Sequence, residues 1–416
     1  DMLPLKDQKR PGFINIQQYY IEEYLLDGCQ ALPNIDIRWG HRADAVKPLS
    51  QGAELAVQTD QGAYVLAAEW VIACDGARST MRDRMGLDFA GRIFEDNFLI
   101  ADIRMKHEMP AERWFWFDPP FNPGRSALMH KQPDDVWRLD FQLGWDIDRE
   151  AATRPENVEP FIRAMLGEGV EFSREWYSVY TFQCRRMERF VHGRVVFAGD
   201  AAHLVSPFGA RGCNGGFADI DNLGWKLDLV LRGRADDSII ETYNHEAIVT
   251  ADENILNSTR STDFLTPKST ASQALRDAVL ELAREHAFAR PFVNSGRLST
   301  AVGYGESPLS TPDADMWQGG VAPGQPVLDA PHDGGWLLDH LGGDFVLLSH
   351  GWQGKAPTGL RRIEVADAAA ARLGLPAGAA MLVRPDQYVA ARWLRPDTTG
   401  IAAAQHRAEG GKSCLH

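Results

Sequence analysis

The stretch GRVVFAGDAAHLVSPFGARGCNGGFADIDNLGWKLDLVL, residues 193–231, orders its parts in a way that few folds require. A short apolar run, Val195–Ala198, predicts a buried strand, and it is followed by Gly199 and Asp200. A glycine-rich turn over 207–216 then leads into a helical pattern. Such a strand carries a carboxylate to its carboxyl end, and the free N–H groups of the helix start point to the same place. The segment therefore predicts a site for a large polar cofactor.

Length and composition limit the class of protein. The chain has 416 residues, of which 44% are hydrophobic and 24% charged, and this length suggests two or three domains. A formal net charge of −14 argues against a nucleic-acid-binding surface. The sequence has no apolar run long enough to span a bilayer, and its opening, DMLPLKDQKR, lacks the apolar core of a signal peptide. We therefore expect a cytoplasmic globular protein with neither a membrane nor a nucleic acid as partner.

Cysteine and histidine usage predicts no metal site. The five cysteines are widely spaced and form no CxxC pair. This spacing favours reduced thiols that serve as small buried residues over disulfides or zinc ligands. The twelve histidines include no HExxH or comparable cluster.

A second strand-end motif lies at Val71–Ser79, VIACDGARS, where an apolar strand is followed by Asp75 and Gly76. Alone, such a motif most often marks a turn. A β-rich block with many aromatic residues, including the run Trp114–Phe117, separates it from the first motif, which lies about 120 residues further on. Two strand-end motifs on either side of such a block are much more specific than either one.

Together these motifs resemble those of the class A flavoprotein aromatic hydroxylases, the family of p-hydroxybenzoate hydroxylase and phenol hydroxylase. Within it the chain is most similar to the 3-(3-hydroxyphenyl)propionate hydroxylase-like group. The narrower resemblance is carried by PFGARGCNGGFADIDNLGWKL (207–227), RPFVNSGRLS (290–299) and LVRPDQYVAARW (382–393). It covers nearly the whole chain. The resemblance implies an α/β fold with an FAD-binding Rossmann-like domain, a β-sheet substrate domain and a C-terminal thioredoxin-like domain.

The resemblance and the shifts in composition divide the chain into five segments. They are the first part of the FAD-binding domain (1–97), the substrate domain (98–185), the second part of the FAD-binding domain with a long helical region (186–306), a linker rich in proline and glycine (307–324) and the thioredoxin-like domain (325–416). The last domain has no CxxC, and its one cysteine is Cys414, so we expect a role in packing or in a homodimer interface rather than in redox chemistry. Local patterns also predict a short strand at Ile35–Trp39 and a helix near Trp336–Leu341.

The resemblance implies FAD as the cofactor and assigns its contacts. Asp200, after Gly199, would hydrogen-bond the ribityl chain. Asp75 and Gly76 would lie near the pyrophosphate and support the reaction with NAD(P)H. In the glycine-rich turn, Pro207 would line the flavin ring where oxygen reacts. The backbone N–H groups of Gly212, Cys213 and Asn214 would face the pyrimidine edge of the flavin. Gln18 would be the helical glutamine that touches the cofactor, with Gln17 as the alternative.

The activity that the resemblance implies is hydroxylation of a phenolic ring with NAD(P)H and O2, through a flavin hydroperoxide. Besides Pro207, the candidates for catalysis are Arg211, inside the flavin loop, and His130 and Asp140, either of which could accept the phenol proton. Arg211 could meet an acidic substrate, or it could be exposed to solvent. His203, in the sequence DAAH, is better explained as a structural histidine than as a catalytic one.

Several of these residues also have a purely structural interpretation. Asp200 could cap a helix, and Asp75 could do no more than form a turn. Arg78 could form a surface ion pair instead of a phosphate contact. The run Trp114–Phe117 could line the substrate pocket or belong to the core of the sheet.

One departure from the family pattern is large. The family begins with a βαβ unit that carries GxGxxG and holds the ADP part of FAD, and no GxGxxG occurs in this chain. We expect the native protein to have an N-terminal region that supplies this unit. Two other functions stay open: a halogenase on the same fold, although Trp114–Pro119 departs from the WxWxIP motif, and a flavin-free binding protein that lacks the adenine half-site.

Overall fold

The computed structural model describes residues 8–106, 109–144, 146–293 and 299–411. The α-helices in these ranges are α1 (Gln18–Gln30), α2 (Thr80–Arg84), α3 (Arg149–Ala152), α4 (Pro155–Leu166), α5 (Gly212–Leu231), α6 (Ile240–Leu265), α7 (Thr270–Glu285), α8 (Arg290–Val293), α9 (Asp367–Leu373) and α10 (Thr398–Ala408). The strands of the first half are β1 (Arg42–Leu49), β2 (Gly52–Thr59), β3 (Gly62–Ala68), β4 (Val71–Ala73), β5 (Ala90–Arg104), β6 (Arg113–Phe117), β7 (Ser126–Lys131), β8 (Val136–Gln142) and β9 (Ser173–Arg186). Those of the second half are β10 (Val191–His192), β11 (Val195–Phe197), β12 (His203–Leu204), β13 (Pro331–His332), β14 (Gly335–Trp336), β15 (Val346–Ser349), β16 (Arg361–Glu364), β17 (Ala380–Val383) and β18 (Val389–Trp393).

The two strand-end motifs form a parallel pair of strands. β11 lies between β10 and β4, and it runs parallel to β4 with Val195 opposite Val71. All three residues of β11 are buried, as an apolar run in a strand covered on both faces should be. The Ala198 N–H donates to the Ala73 carbonyl at 3.1 Å, so the carboxyl ends of both strands lie at the same edge. This confirms the strand predictions for both motifs.

The β-rich block is one six-stranded sheet in the order β12-β9-β5-β8-β7-β6. Successive residues of each strand point to opposite faces. One face, called the core face below, packs Leu99, Met129 and Leu139 against Val158 and Ile162 of α4. The opposite face, called the outer face, carries most of the polar side chains. The alternation gives the sheet one face for stability and another that is available for a site.

Helices α5 and α6 join the parallel pair to the C-terminal unit in one apolar core. This core contains Phe197 of β11, Leu223 of α5, Tyr243 of α6, and Leu347 and Leu382 of the C-terminal sheet. The Tyr243 hydroxyl also donates to the Phe197 carbonyl at 2.8 Å. Because one core includes residues of all these elements, the C-terminal unit helps to fix α5 and α6.

The C-terminal unit is a four-stranded sheet in the order β16-β15-β17-β18. β15 is parallel to β16 and antiparallel to β17, which is antiparallel to β18. Helix α9 packs into one apolar cluster through Leu373, and α10 packs into another through Ile401. The segment 307–324 has no helix or strand, but it is attached to this unit: the Thr311 N–H donates to the Ala390 carbonyl at 2.7 Å, and the Val321 N–H to the Leu373 carbonyl at 3.0 Å.

Two local predictions are wrong. Ile35–Trp39 is not a strand, and its residues are exposed. Its alternation of apolar and charged residues suits a strand, but strands need a hydrogen-bonded neighbour, and this segment has none among the described residues. The predicted helix near Trp336–Leu341 is a single 3₁₀ turn, Leu337–His340, after the short strand β14. Within the described ranges, no helix combines the length and the apolar character needed to cross a bilayer.

Candidate functional site

The first part of the candidate site is the edge where β4 and β11 end. Asp75 and Gly76 follow β4, and Gly199 and Asp200 follow β11. Gly76 has a φ of +80° and Gly199 a φ of +58°, a region that side chains other than glycine rarely adopt. One Asp75 oxygen accepts from the Met81 N–H at 3.0 Å, so this carboxylate also orders the start of α2. The turn interpretation of Asp75 is therefore supported, and a cofactor contact stays a prediction.

A buried carboxylate outside the two strand-end motifs, Asp219, holds this edge against α5. Asp219 accepts from the Gly199 N–H at 2.8 Å and contacts His203 Nε2 at 2.7 Å. Burial alone would lower the pKa of His203, but the Asp219 carboxylate raises it above its ordinary value. His203 is buried, in agreement with its interpretation as a structural histidine. The buried side of α5 also carries Asn222 and Lys226, so the sequence offers no apolar background against which Asp219 stands out.

The second part of the site is the start of α5. The residue before the helix is Arg211, and no side chain caps the first turn. The 20-residue helix begins at Gly212, and Cys213 and Asn214 are exposed. Uncapped N–H groups at the start of a long helix carry partial positive charge and attract negatively charged or hydrogen-bond-accepting groups. Pro207, on the preceding turn, is also exposed.

These residues fit the flavin-ring half of FAD. Asp200 is exposed at the strand end, so its oxygens are available to hydroxyl groups. The end of β11 and helix α5 also approach each other closely. A Cβ added to Gly216 of α5 would lie only 3.6 Å from the Gly199 Cα. An exposed carboxylate, an uncapped helix start and a backbone close to both are what a ribityl chain and a pyrimidine edge require.

Arg211 and Gln17 are buried, whereas Gln18 is exposed on the surface of α1. Arg211 is 6% exposed, and its Nη1 donates to Asn254 Oδ1 at 3.1 Å, which rules out solvent exposure. Gln18 is exposed and donates to Glu22 at 2.7 Å. Gln17 is buried and donates to the Pro133 carbonyl at 2.9 Å. The Gln18 side chain is thus free of the protein core, whereas Gln17 attaches α1 to the loop between β7 and β8.

The outer face of the six-stranded sheet carries three rows of side chains across neighbouring strands. We call them the proximal row (Phe117, Ser126, Gln142, Phe98), the middle row (Phe115, Leu128, Asp140, Ile100) and the distal row (Arg113, His130, Arg138, Asp102). The ring of Phe208, in the glycine-rich turn, packs on Phe98 with centroids 5.6 Å apart. The proximal row therefore touches the loop of the candidate flavin site, and the distal row lies about 13 Å away, four residues along a strand.

The aromatic run Trp114–Phe117 is divided between the two faces. Trp114 and Trp116 pack with the core face, their rings 6.1 Å apart. Phe115 and Phe117 belong to the outer face, and Phe117 packs near Phe208. The core interpretation is therefore confirmed for Trp114 and Trp116, and pocket lining stays a prediction for Phe115 and Phe117, because alternate residues of a strand point to opposite faces.

His130 and Asp140 are buried on the outer face and differ sharply in basicity. His130 is 7% exposed and its Nδ1 has no hydrogen-bond partner. Burial lowers the pKa of His130 to about 3, and the neighbouring Arg113 adds to this effect. Asp140 is 9% exposed, and burial raises its pKa to about 7 although Arg138 opposes the change. At neutral pH His130 is therefore a poor proton acceptor, and Asp140 is poised to exchange a proton.

The chain is similar to known proteins in both sequence and fold. The model of a family described as FAD binding domain matches residues 2–258. The 3-(3-hydroxy-phenyl)propionate/3-hydroxycinnamic acid hydroxylase of Mycolicibacterium gilvum is 32% identical over 279 residues, which cover 66% of this chain and 47% of that protein. The 12-dehydrotetracycline 5-monooxygenase/anhydrotetracycline 6-monooxygenase of Streptomyces rimosus is 32% identical over 290 residues, or 66% of this chain and 56% of that protein. The chain thus spans about half the length of these curated relatives.

Solved structures give the same result for the fold. OxyS anhydrotetracycline hydroxylase from Streptomyces rimosus superposes with a TM-score of 0.71 and 26% identity, over 96% of this chain and 80% of that one. A ternary complex of aklavinone-11 hydroxylase with FAD and aklavinone has a TM-score of 0.75 at 20% identity, over 95% and 78% of the two chains. Since the family model matches more than half of its residues, the chain belongs to the FAD-binding domain family of the class A flavoprotein aromatic hydroxylases.

Proposed function

We propose that this chain carries the flavin-ring and substrate parts of an FAD-dependent monooxygenase that hydroxylates a phenolic aromatic compound with NAD(P)H and O2. One observation carries the proposal: the turn before α5 packs through Phe208 onto the outer face of the sheet. A flavin ring held by the start of α5 would therefore lie beside a sheet face on which His130 Nδ1 is buried without a hydrogen-bond partner. The relatives of known activity are hydroxylases and monooxygenases, which supports the same reaction class.

The cofactor contacts follow from the edge and the helix start. Asp200 would bind the ribityl hydroxyls, and the N–H groups of Gly212, Cys213 and Asn214 would face the pyrimidine edge. Pro207 would line the ring. Bound FAD supplies the redox chemistry that activates O2. The protein supplies orientation and a positive helix end, which stabilises negative charge on the ring.

For the phenol proton, the structure favours Asp140 over His130. A general base works best when its pKa lies near the operating pH, and the pKa of Asp140 is about 7. Asp140 lies on the middle row, one row beyond Phe98 and Phe117, so a ring packed against the proximal row would present its edge to this carboxylate. His130 lies one row further away and has too low a pKa to hold the proton.

We further infer that the C-terminal unit is thioredoxin-like and serves in packing. Two parallel strands followed by an antiparallel pair, with helices α9 and α10 in different apolar clusters, support this fold. Cys414 lies outside the described residues. The described part of this unit, 325–411, contains no cysteine, which supports a role other than redox chemistry.

Titration of the purified chain with FAD tests the cofactor site. We expect quenching of flavin fluorescence on binding and weaker binding by Asp200→Ala. The matched control is Asp228→Ala on α5, whose carboxylate is exposed and pairs with Arg232. FAD affinity that is the same in wild type and Asp200→Ala would contradict the assignment of the ribityl contact. A chain that binds aromatic ligands but no FAD would instead favour the flavin-free binding protein.

A panel of phenols tests the reaction. With FAD, NAD(P)H and O2 present, we expect a phenol to stimulate NAD(P)H oxidation and to gain one oxygen atom, as measured by mass spectrometry of the product. Stimulation without an oxygenated product would mean that the compound only uncouples the flavin. A halogenated product, formed when halide is added, would favour the halogenase.

A further inference from the structure

Helix α7 presents an apolar stripe to solvent. The stripe, called the α7 stripe below, recurs every three or four residues along one face of the helix and consists of Ala271, Leu275, Ala278 and Leu282. All four residues are exposed, Leu275 by 67% and Leu282 by 44%. None of the four belongs to an apolar cluster of the described residues. Exposed apolar patches on soluble proteins mark interaction sites, so this face calls for a partner.

A different side of α7 attaches the helix to the rest of the chain. Arg276 is buried, and its guanidinium lies 5.9 Å from the centre of the Phe117 ring on the outer face of the sheet. The start of the helix is capped by Ser269, whose hydroxyl accepts from the Ser272 N–H at 3.1 Å. The 16-residue helix is therefore held in place with its stripe pointing away from the sheet.

The charges around the α7 stripe identify the class of partner. The exposed charged residues of the helix are Asp277, Glu281, Arg284 and Glu285, three acids and one base. A face that binds nucleic acid or an anionic membrane is rich in lysine and arginine, so neither suits this helix. A narrow apolar stripe flanked by mixed charges is typical of a seam between two helices.

The α7 stripe is complementary to a second copy of itself in the antiparallel direction. In one register, Leu275 falls opposite Ala278 of the second copy, and Leu282 falls opposite its Ala271. A large side chain opposite a small one lets two helices interdigitate, and a twofold axis makes each contact occur twice. The same register brings Glu285 next to the start of α7 in the second copy, where the helix dipole favours an acid.

We propose that α7 is the contact surface of a homodimer in which the α7 stripes of two copies pack antiparallel. A stable interface buries about 800 Å² per partner, so the stripe is its centre and neighbouring surface completes it. Phe288 and Phe292 follow the helix and are largely exposed. Since a phenylalanine buries about 150–250 Å², these two can add at least about 200 Å². The expected homodimer interface thereby moves from the C-terminal unit to α7.

Sedimentation velocity of the purified chain tests the interface, and two charged substitutions test its register. We expect wild type to be a dimer, and Leu275→Lys and Ala278→Glu each to be monomeric, because each buries a charge against an apolar residue of the partner. An equal mixture of the two variants should form dimers again, since the new ammonium group of one chain then faces the new carboxylate of the other. Leu256→Lys is the matched control: it charges an exposed leucine of α6 and should leave the dimer intact.

Several outcomes would overturn the interface. They are a wild type that stays monomeric as its concentration is raised, a dimer that both charged variants retain, and a mixture of the variants that does not associate. If Leu275→Lys does not fold by circular dichroism, Leu282→Ala decides, because loss of two buried leucine side chains per dimer should raise its dissociation constant at least about tenfold. None of these measurements needs FAD or a phenol, so the proposed function and the interface stand or fall separately.

Discussion

Glu246, Lys226 and Arg384 form a buried cluster between α6, α5 and the C-terminal unit, whereas the distal row is a charged cluster on a sheet face. In the first, every charge is matched: Arg384 donates to Glu246 at 2.6 and 2.9 Å, and Lys226 donates to Glu246 at 2.7 Å. In the second, Arg138 is paired with Asp102, whereas Arg113 has no ion pair among the described residues. The difference teaches that full burial of charge goes with complete pairing in this molecule. The matched cluster is enclosed and holds three elements together, whereas Arg113 is half-buried and interacts with the Asp140 carboxylate only at longer range.

The matched cluster is also linked to neighbouring polar groups. Asp386 accepts from Arg384 and from the Trp225 indole at 3.0 Å, and Ser307 donates to Glu246 at 2.5 Å. Its members come from α5, α6, the segment after 299 and the turn before β18. The C-terminal unit is thus attached through charge to the helix whose start forms the candidate flavin site.

The largest expected effect is on stability, from breaking the matched cluster. Arg384→Gln leaves Glu246 and Asp386 buried without their main partner, which should lower the free energy of unfolding by about 3–5 kcal/mol. The same substitution at Arg113, which is half-buried and has no ion pair among the described residues, should cost little stability. Urea denaturation of both variants measures the contrast. Equal losses would show that the two arginines are paired to the same extent.

The next largest effect is a gain in stability, which we expect from Asp140→Asn. Its pKa is about 7 in the folded protein and 3.8 in the unfolded chain, so the folded state binds the proton more tightly. The raised pKa therefore contributes its full stabilisation of the folded state below pH 3.8, and this contribution is lost as the pH rises through 7. Asp140→Asn cannot ionise, so at pH 8 it should be more stable than wild type by up to about 4 kcal/mol. It should also lose hydroxylation.

The pH dependence separates this prediction from a general packing effect. Between pH 5 and 8 the stability advantage of Asp140→Asn should increase, because only wild type pays to ionise the buried carboxyl group. Asp102, which is paired with Arg138, provides the control: Asp102→Asn should be destabilising at both pH values, since it leaves Arg138 unmatched. An advantage of Asp140→Asn that does not change with pH would contradict the raised pKa.

The sequence could predict the elements but not which charges are matched. Val71–Ala73 and Val195–Phe197 were predictable because an apolar run that ends in a glycine and an aspartate has few other structures. Arg113 and Arg384 look alike in sequence, since each lies next to an apolar strand segment: Arg113 begins β6, and Arg384 directly follows β17. The partner of Arg384, Glu246, lies 138 residues away, and no local pattern indicates it. The same limit applies to Arg211: its partner Asn254 lies 43 residues further along the chain, and no local pattern indicates it.

An intermediate case is the pair of Asp219 and His203, which is matched but lies at the candidate cofactor edge. Asp219→Asn should lower the free energy of unfolding by about 1–3 kcal/mol, because it weakens hydrogen bonds to His203 and to the Gly199 N–H. Since His203 has a raised pKa in the folded state, its contribution is present at low pH and lost as the pH rises. Urea denaturation at pH 6 and pH 9 should therefore show a larger difference between wild type and Asp219→Asn at pH 6. FAD affinity should fall as well, and Asp228→Asn should leave it unchanged.

The smallest effect is expected where charges are matched but exposed. Arg232 donates to Asp228 at 2.7 Å on the last turns of α5, and both side chains are largely in water. Water screens the pair and ordering two long side chains costs entropy, so Arg232→Ala should change the free energy of unfolding by no more than about 0.5 kcal/mol. The measurement is urea denaturation at low and at high salt, where the difference should shrink further with salt. A loss comparable to that of Arg384→Gln would mean that pairing alone sets the energy. A small loss would show that burial gives the matched cluster its effect.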